Sequence, residues 1–175
     1  GIAVFHPVTS ERDTIGAQAA SLFGALEASG KHFVVIAPNN DPGTEDIFVV
    51  LEKLPAERFR LIPSMRFNYF SELMKNAAVM VGNSSAGVRE APFLGLPSLD
   101  VGTRQNNRAQ ADSVTVCSAF DTQAIAGFLR ASWSARASTD QAYGQGLASV
   151  QFVSVLQQAG YWNQSQQKAF SETSV

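Results

Sequence analysis

The sequence is poor in the residues that build metal centres and disulfide frameworks. It has one cysteine, Cys117, and two histidines, His6 and His32. A single cysteine excludes an internal disulfide, and the two histidines lack the spacing typical of zinc ligands. No apolar run approaches the roughly 18 residues of a membrane span, and no secretory signal is recognised. We therefore expect a chain without a membrane partner, in a reducing and cytoplasmic location.

Positive charge is also scarce. There are 13 Lys and Arg residues against 15 Asp and Glu, which gives a net charge of -2. This balance argues against nucleic acid as a partner. A nucleotide remains a possible ligand, because helix N-termini and backbone amides bind phosphate without many cationic side chains. GxGxxG, Walker lysine and GxSxG motifs are absent too, which disfavours a dehydrogenase, a P-loop NTPase and a serine hydrolase.

Short apolar runs alternate with helical patterns along the first 133 residues. The predicted strands are 1–5, 32–37, 58–62, 78–82, 97–101 and 113–117, and the predicted helices are 13–29, 44–54, 67–76, 85–94 and 121–133. This alternation indicates an α/β fold with a parallel sheet of βαβ units. A further helix is predicted at 146–158. We expect one domain over 1–160 and a C-terminal helix or tail over 161–175.

The chain begins with Gly1, which runs directly into the apolar stretch 2–5 without a preceding Met. We therefore interpret residue 1 as an artificial boundary.

Polar and small residues are concentrated after five of the predicted strands. The loops concerned are 6–12, 38–43, 63–68, 82–90 and 102–108. Ligands of open parallel sheets bind outside the carboxyl ends of the strands. These loops are therefore where we expect a site.

The loop 82–90 carries the strongest local pattern. Gly82 and Gly87 permit a tight turn and close approach by a ligand. Ser84 and Ser85 can cap a helix and donate hydroxyls to a phosphate, and Glu90 can accept two ribose hydroxyls. An ordinary helix cap with a surface glutamate explains the same residues, so both interpretations stay open.

Two other loops offer charged or titratable groups. Arg104 and Arg108, four residues apart, suit a diphosphate or a sugar, although a solvated loop is the alternative. His6 can act as an acid, a base or a hydrogen-bond donor to phosphate, or it can simply satisfy backbone groups at a strand end. His32 precedes its strand, so we interpret it as a surface residue.

Four segments together resemble a known family. HPVT, PNNDPG, GNSSAGVREAP and GTRQNNR follow the first, second, fourth and fifth strands in that order. They resemble the C-terminal half of the hydrolysing UDP-N-acetylglucosamine 2-epimerases, in the branch that feeds sialic and nonulosonic acid synthesis. The resemblance implies a Rossmann-like, doubly wound sheet over 1–160 that forms the UDP-binding half of a two-domain GT-B architecture.

The resemblance also implies roles for individual residues. Ser84 and Ser85 would hold the diphosphate, Glu90 the ribose hydroxyls, and Arg104, with Arg108 nearby, the phosphates. Met65 would meet the uracil through its backbone. His6 would lie near the pyrophosphate and assist the departing UDP.

The family chemistry begins with proton abstraction at C2, followed by loss of UDP and addition of water to give N-acetylmannosamine. Its carboxylate bases lie mainly in the N-terminal half, so the resemblance implies that this chain needs that half as a partner and is inactive alone. A homodimer of the full-length protein is expected, and no metal or redox cofactor is implied. The alternatives are the nucleotide-binding half of a GT-B glycosyltransferase, a 2-epimerase for UDP-diacetylbacillosamine, and a non-catalytic ligand-sensing domain.

Overall fold

The computed structural model describes residues 1–108, 111–165 and 167. Its strands are β1 (Ile2–Val4), β2 (Phe33–Ile36), β3 (Phe59–Ile62), β4 (Met80–Gly82), β5 (Ser98–Val101) and β6 (Val114–Cys117). They form one sheet in the order β3-β2-β1-β4-β5-β6, and every neighbouring pair is parallel. All six predicted strands are confirmed.

Helices connect the strands. They are α1 (Ile15–Ala28, after a 3-10 segment at Thr9–Thr14), α2 (Thr44–Leu51), α3 (Phe67–Asn76), α4 (Ser85–Val88), α5 (Glu90–Phe93), α6 (Thr122–Ser132), α7 (Ala148–Leu156) and α8 (Ala159–Trp162).

The prediction of one helix over 85–94 is wrong. The structure has two short helices, α4 and α5, separated at Arg89, whose φ of -115° and ψ of -63° lie outside regular helix. Pro92 gives a physical reason: it has no amide to donate to the Val88 carbonyl, and its ring crowds that carbonyl.

Apolar side chains cover both faces of the sheet. On one face, alternate strand residues such as Val35, Val81 and Leu99 pack with α1, α2 and α6. On the other face, Ile2 and Met80 pack with α3 and α5. This alternation is what a strand of period two produces when both faces are buried.

The site position follows from this topology. The strand order reverses between β1 and β4, because β1 leads through α1 to β2 while β4 leads through α4 and α5 to β5 on the other side. Such a switch point opens a crevice at the carboxyl ends of the two strands. The order matches that of dinucleotide-binding folds, so the prediction of a Rossmann-like, doubly wound sheet is confirmed.

The chain divides into two compact units, 1–140 and 141–175. The first ends earlier than the predicted domain boundary at residue 160. In the second, no residue of α7 is buried, and Trp162 Nε1 donates a hydrogen bond to the Leu156 carbonyl over 2.7 Å. Most of the predicted tail, 168–175, lies outside the described residues. None of the helices described has the length and apolar character needed to cross a membrane.

Candidate functional site

Asn83 joins the loops that follow β1 and β4. It is 1% exposed. Its Oδ1 accepts a hydrogen bond from the His6 amide at 2.7 Å, and its Nδ2 donates to the His6 carbonyl at 2.8 Å. Since the backbone amide can only donate and the carbonyl can only accept, these partners fix the orientation of the Asn83 amide.

The loop after β5 reaches the same residue. Gln105, which is buried, donates to the Asn83 carbonyl at 2.9 Å, and Arg104 Nη1 donates to that oxygen at 3.3 Å. Arg108 Nη1 in turn donates to Gln105 Oε1 at 3.3 Å. The structure therefore brings His6 and the two predicted cationic residues to one end of the sheet.

His6 is held as a neutral imidazole. Its Nδ1 accepts a hydrogen bond from the Asn39 amide at 3.1 Å, which leaves Nε2–H as the donor of the ring. Burial, helped by the Arg104 guanidinium, lowers the pKa of His6 to about 4, although Asp41 and a side-chain hydrogen bond with Asn39 oppose the shift. At neutral pH this side chain can donate a hydrogen bond, but it does not carry a positive charge.

The turn after β4 requires glycine. Gly82 has a φ of +131°, and a Cβ there would overlap the Val4 carbonyl, whose carbon would lie 2.7 Å away. The next residues continue into α4, where Ser84 Oγ accepts a hydrogen bond from the Ala86 amide at 3.3 Å. Ser84 is thus the predicted helix cap, and Ser85 is the first residue of α4.

Glu90 begins α5 and carries an unpaired acceptor. Among the described residues, its buried Oε2 has no hydrogen-bond partner. A buried carboxylate oxygen without a donor is costly, so such an atom is a candidate for a ligand contact. The expected partners, two ribose hydroxyls, are of the required type.

Met65 is the one predicted site residue that the sheet topology places away from the β1–β4 switch point. It follows the edge strand β3, which lies two strands from β1, or about 10 Å at the usual strand spacing. Its contact with a base stays a prediction, as do the individual ligand roles of the other site residues.

The buried polar residues Asn83, Gln105 and Asp100 were not predicted as site residues. Asp100 is 2% exposed on β5, and within the described part of the chain neither carboxylate oxygen has a partner. Burial raises the pKa of this carboxyl to about 6. An aspartate inside the apolar strand 97–101 was a visible signal for Asp100, whereas nothing local marked Asn83 or Gln105.

A cavity of about 490 Å³ opens at the carboxyl ends of β5 and β6. It is lined by residues that include Glu11, Gln18, Thr103 and Phe120. Glu11 accepts hydrogen bonds from Gln18 and Thr103, which ties the loop after β1 to the loop after β5. None of the predicted nucleotide ligands lines this cavity, so we do not assign the nucleotide to it.

The family model that matches this chain and two of the related sequences are 2-epimerases of UDP-sugars. The sequence model of the UDP-N-acetylglucosamine 2-epimerase family matches residues 1–157. The UDP-N-acetylglucosamine 2-epimerase of Neisseria meningitidis is 41% identical over all of this chain and 47% of its own length. The UDP-N,N'-diacetylbacillosamine 2-epimerase (hydrolyzing) of Legionella pneumophila is 34% identical over 65% of this chain and 30% of its own length.

The fold is similar to that of a solved structure. The crystal structure of UDP-GlcNAc 2-epimerase from Neisseria meningitidis bound to UDP-GlcNAc superposes with a TM-score of 0.68 and 21% identity, over 89% of this chain and 44% of that one. The predicted fold class, one Rossmann-like half of a GT-B architecture, is confirmed. The chain spans about half the length of these two Neisseria meningitidis proteins, 47% of the sequence relative and 44% of the solved structure.

Proposed function

Because this chain belongs to the UDP-N-acetylglucosamine 2-epimerase family, we propose that it is the UDP-binding, C-terminal half of a hydrolysing 2-epimerase. The complete protein would convert UDP-N-acetylglucosamine and water to N-acetylmannosamine and UDP. A cytoplasmic location, a homodimer and a place in the sialic or nonulosonic acid branch remain predictions attached to this proposal.

The observation that carries the proposal is the convergence of His6 and Arg104. The His6 amide donates a hydrogen bond to the Asn83 side chain, and Arg104 donates one to the Asn83 carbonyl. The guanidinium lies near enough to His6 to disfavour its protonation. A neutral N–H donor beside a fixed cation suits the negative charge that develops on a departing diphosphate.

We propose a limited role for His6. With a pKa of about 4, the imidazole stabilises the leaving group by a hydrogen bond from Nε2 rather than by transferring a proton as an imidazolium. Glu90 would complete the nucleotide site by accepting the ribose hydroxyls with its unpaired Oε2. Ser84 and Ser85 would bind phosphate oxygens, Arg108 would support them, and Met65 would meet the base.

Proton abstraction at C2 needs a carboxylate base, which we assign to the other half of the protein. The chain spans 47% of the length of its Neisseria relative, which supports a partner half. We therefore expect that the chain alone does not turn over.

The nucleotide site is tested by titrating UDP into this chain by calorimetry. Glu90→Ala is expected to weaken binding at least about tenfold, since 1.4 kcal/mol corresponds to one lost charge-assisted contact. Glu72→Ala is the control, because Glu72 is exposed on α3 and pairs with Lys75. Equal UDP affinity in the wild type and the Glu90 variant would contradict the assignment.

Turnover is tested by adding UDP-N-acetylglucosamine to the chain, with and without the remaining half of the full-length protein. Release of UDP and free N-acetylmannosamine is expected only when both halves are present. Release of UDP by this chain alone would refute the assignment of the catalytic base to the other half. A product that appears only with a sugar acceptor would favour the glycosyltransferase alternative. Preference for UDP-diacetylbacillosamine as the substrate would favour the alternative 2-epimerase.

A further inference from the structure

Asn83 makes a pair of hydrogen bonds that constrains one particular residue. Its amide receives the His6 N–H at 2.7 Å and donates to the His6 C=O at 2.8 Å, so both backbone polar groups of His6 depend on it. The two residues are 77 positions apart in sequence. Within a site that is part-buried, loss of this amide would leave a donor and an acceptor to be satisfied elsewhere, which is costly.

The backbone of His6 determines where its ring points. In the observed position Nδ1 meets the Asn39 amide at 3.1 Å. A backbone N–H can only donate, so Nδ1 must be unprotonated and the proton of the neutral ring must lie on Nε2. Rotation or displacement of the His6 backbone would remove Nδ1 from Asn39 and with it the reason for a single tautomer.

We propose that Asn83 is a positioning residue, whose side chain holds the His6 backbone so that the imidazole keeps its proton on Nε2 for the departing nucleotide. The catalytic consequence rests on the proposed function, whereas the effect on the ring does not. Asn83 also accepts from Arg104 and Gln105 through its own carbonyl, so the same residue sets the cation beside the imidazole.

The residue type fits this role closely. Asparagine offers one donor and one acceptor on a short side chain, matching the C=O and N–H of a single residue. Aspartate would keep the acceptor but face the His6 carbonyl with an oxygen. A hydroxyl or an apolar side chain would serve at most one of the two groups.

The test reads the tautomer directly. In the chain labelled with ¹⁵N-histidine, a long-range ¹H–¹⁵N correlation spectrum shows which ring nitrogen carries the proton. The sequence has two histidines, so exposed His32 is the internal reference. Spectra are recorded for the wild type, for Asn83→Ala and for Asn76→Ala, which removes an exposed amide that donates to the Glu72 carbonyl at the end of α3.

The wild type and Asn76→Ala are expected to show His6 as the Nε2–H tautomer at neutral pH. Asn83→Ala is expected to show a mixture of the two tautomers, with His32 unchanged and with a cooperative urea transition that confirms folding. Folded Asn83→Ala with an unchanged His6 tautomer would overturn the proposal, because a merely structural hydrogen bond could be lost without moving the ring.

Asn83→Ser is the second variant if the alanine variant fails to fold. Its hydroxyl can serve at most one of the two His6 backbone groups and adds no charge, so a mixed tautomer is again expected. An unchanged His6 tautomer in folded Asn83→Ser would overturn the proposal. A UDP titration separates the positioning role of Asn83 from the proposed function of the nucleotide site. About tenfold weaker UDP binding in the variant, or 1.4 kcal/mol, would support a link between this positioning role and the nucleotide site, whereas unchanged UDP affinity would contradict that link. A mixed tautomer in a protein that binds no UDP even with its other half would refute the proposed function and leave the positioning role in place.

Discussion

The two ends of the sheet are built on different principles. At the carboxyl end, polar side chains tie the loops together, and Asn39, Glu90 and Asp100 have buried atoms without partners in the described part of the chain. At the amino end, aromatic packing dominates: Phe33 stacks on Phe59 at 5.8 Å and meets the edge of Trp133 at 5.6 Å. Ser113, beside β6, is the exception: its hydroxyl at the amino end has no partner among the residues that the structure describes.

The two histidines show what this difference means. His32 is exposed at the amino end, whereas His6 is half-buried at the carboxyl end and remains neutral well below its usual pKa. Two residues of one type therefore have different properties at the two ends of the same sheet. Apart from Ser113, the unsatisfied buried oxygens of the described residues lie at the carboxyl end, where a ligand can donate to them.

The largest expected effect is on the backbone contact between β1 and β4. In Gly82→Ala the new Cβ would meet the Val4 carbonyl at a φ of +131°, so the strands must separate. We expect a loss of more than about 3 kcal/mol in the free energy of unfolding. Gly30→Ala is the matched change at the amino end, where φ is +67° and no atom lies within 4 Å of the Cβ. It should cost about 1 kcal/mol.

Urea denaturation of both variants measures this contrast. Similar losses at Gly30 and Gly82 would show that the close approach at the carboxyl end has no special cost.

Much of the fold could be predicted because its signals are local. Short, mostly apolar runs located all six strands, and the alternation with helices gave the parallel sheet. The break at Arg89 was missed because apolar residues continue at helical spacing through Val88 and Ala91, which masked the effect of Pro92. The strand order depends on contacts between distant segments, so local patterns do not contain it.

The site was predictable in part for the same reason. Ser84 and Glu90 could be selected from one short segment and from the family resemblance. Asn83 could not, because its role consists of bonds to His6 across 77 residues and to Gln105 across 22. Asp100 could be noticed in the sequence, but its lack of partners is visible only once the strands around it are placed.

The next largest expected effect is the pH dependence of stability that arises from Asp100, at the carboxyl end of the sheet. The folded-state pKa of Asp100 is raised to about 6 from 3.8, so the folded protein binds this proton more strongly than the unfolded chain. The associated stability is present below the unfolded pKa and is lost as pH rises through about 6. A pKa raised this far corresponds to at most about 3 kcal/mol, and to less where solvent screens the carboxylate. Asp100→Asn should therefore be more stable than the wild type near neutral pH, with the advantage shrinking towards about pH 4.

The measurement is urea denaturation across that pH range, with exposed Asp112→Asn as the control. His6 acts in the opposite direction, because its lowered pKa makes stability fall as pH drops from about 6.5 towards about 4. Comparing the Asp100 variant with the wild type cancels this contribution. An advantage that does not change with pH would contradict the assignment of the titration to Asp100.

The smallest effect tests whether the two ends are functionally separate. Arg136 donates to the carbonyls of Lys75 and Ala77 at 2.7 and 3.0 Å, where α3 ends at the amino edge. Arg136→Ala should lower the free energy of unfolding by about 1 kcal/mol, because these last helical carbonyls lose their donor. Arg130→Ala, at an exposed position of α6, should change it by less than about 0.5 kcal/mol. UDP affinity should be unchanged in both variants. If Arg136→Ala weakened UDP binding as much as Glu90→Ala, the nucleotide site would depend on the amino end as well, and the contrast between the two ends would concern packing alone.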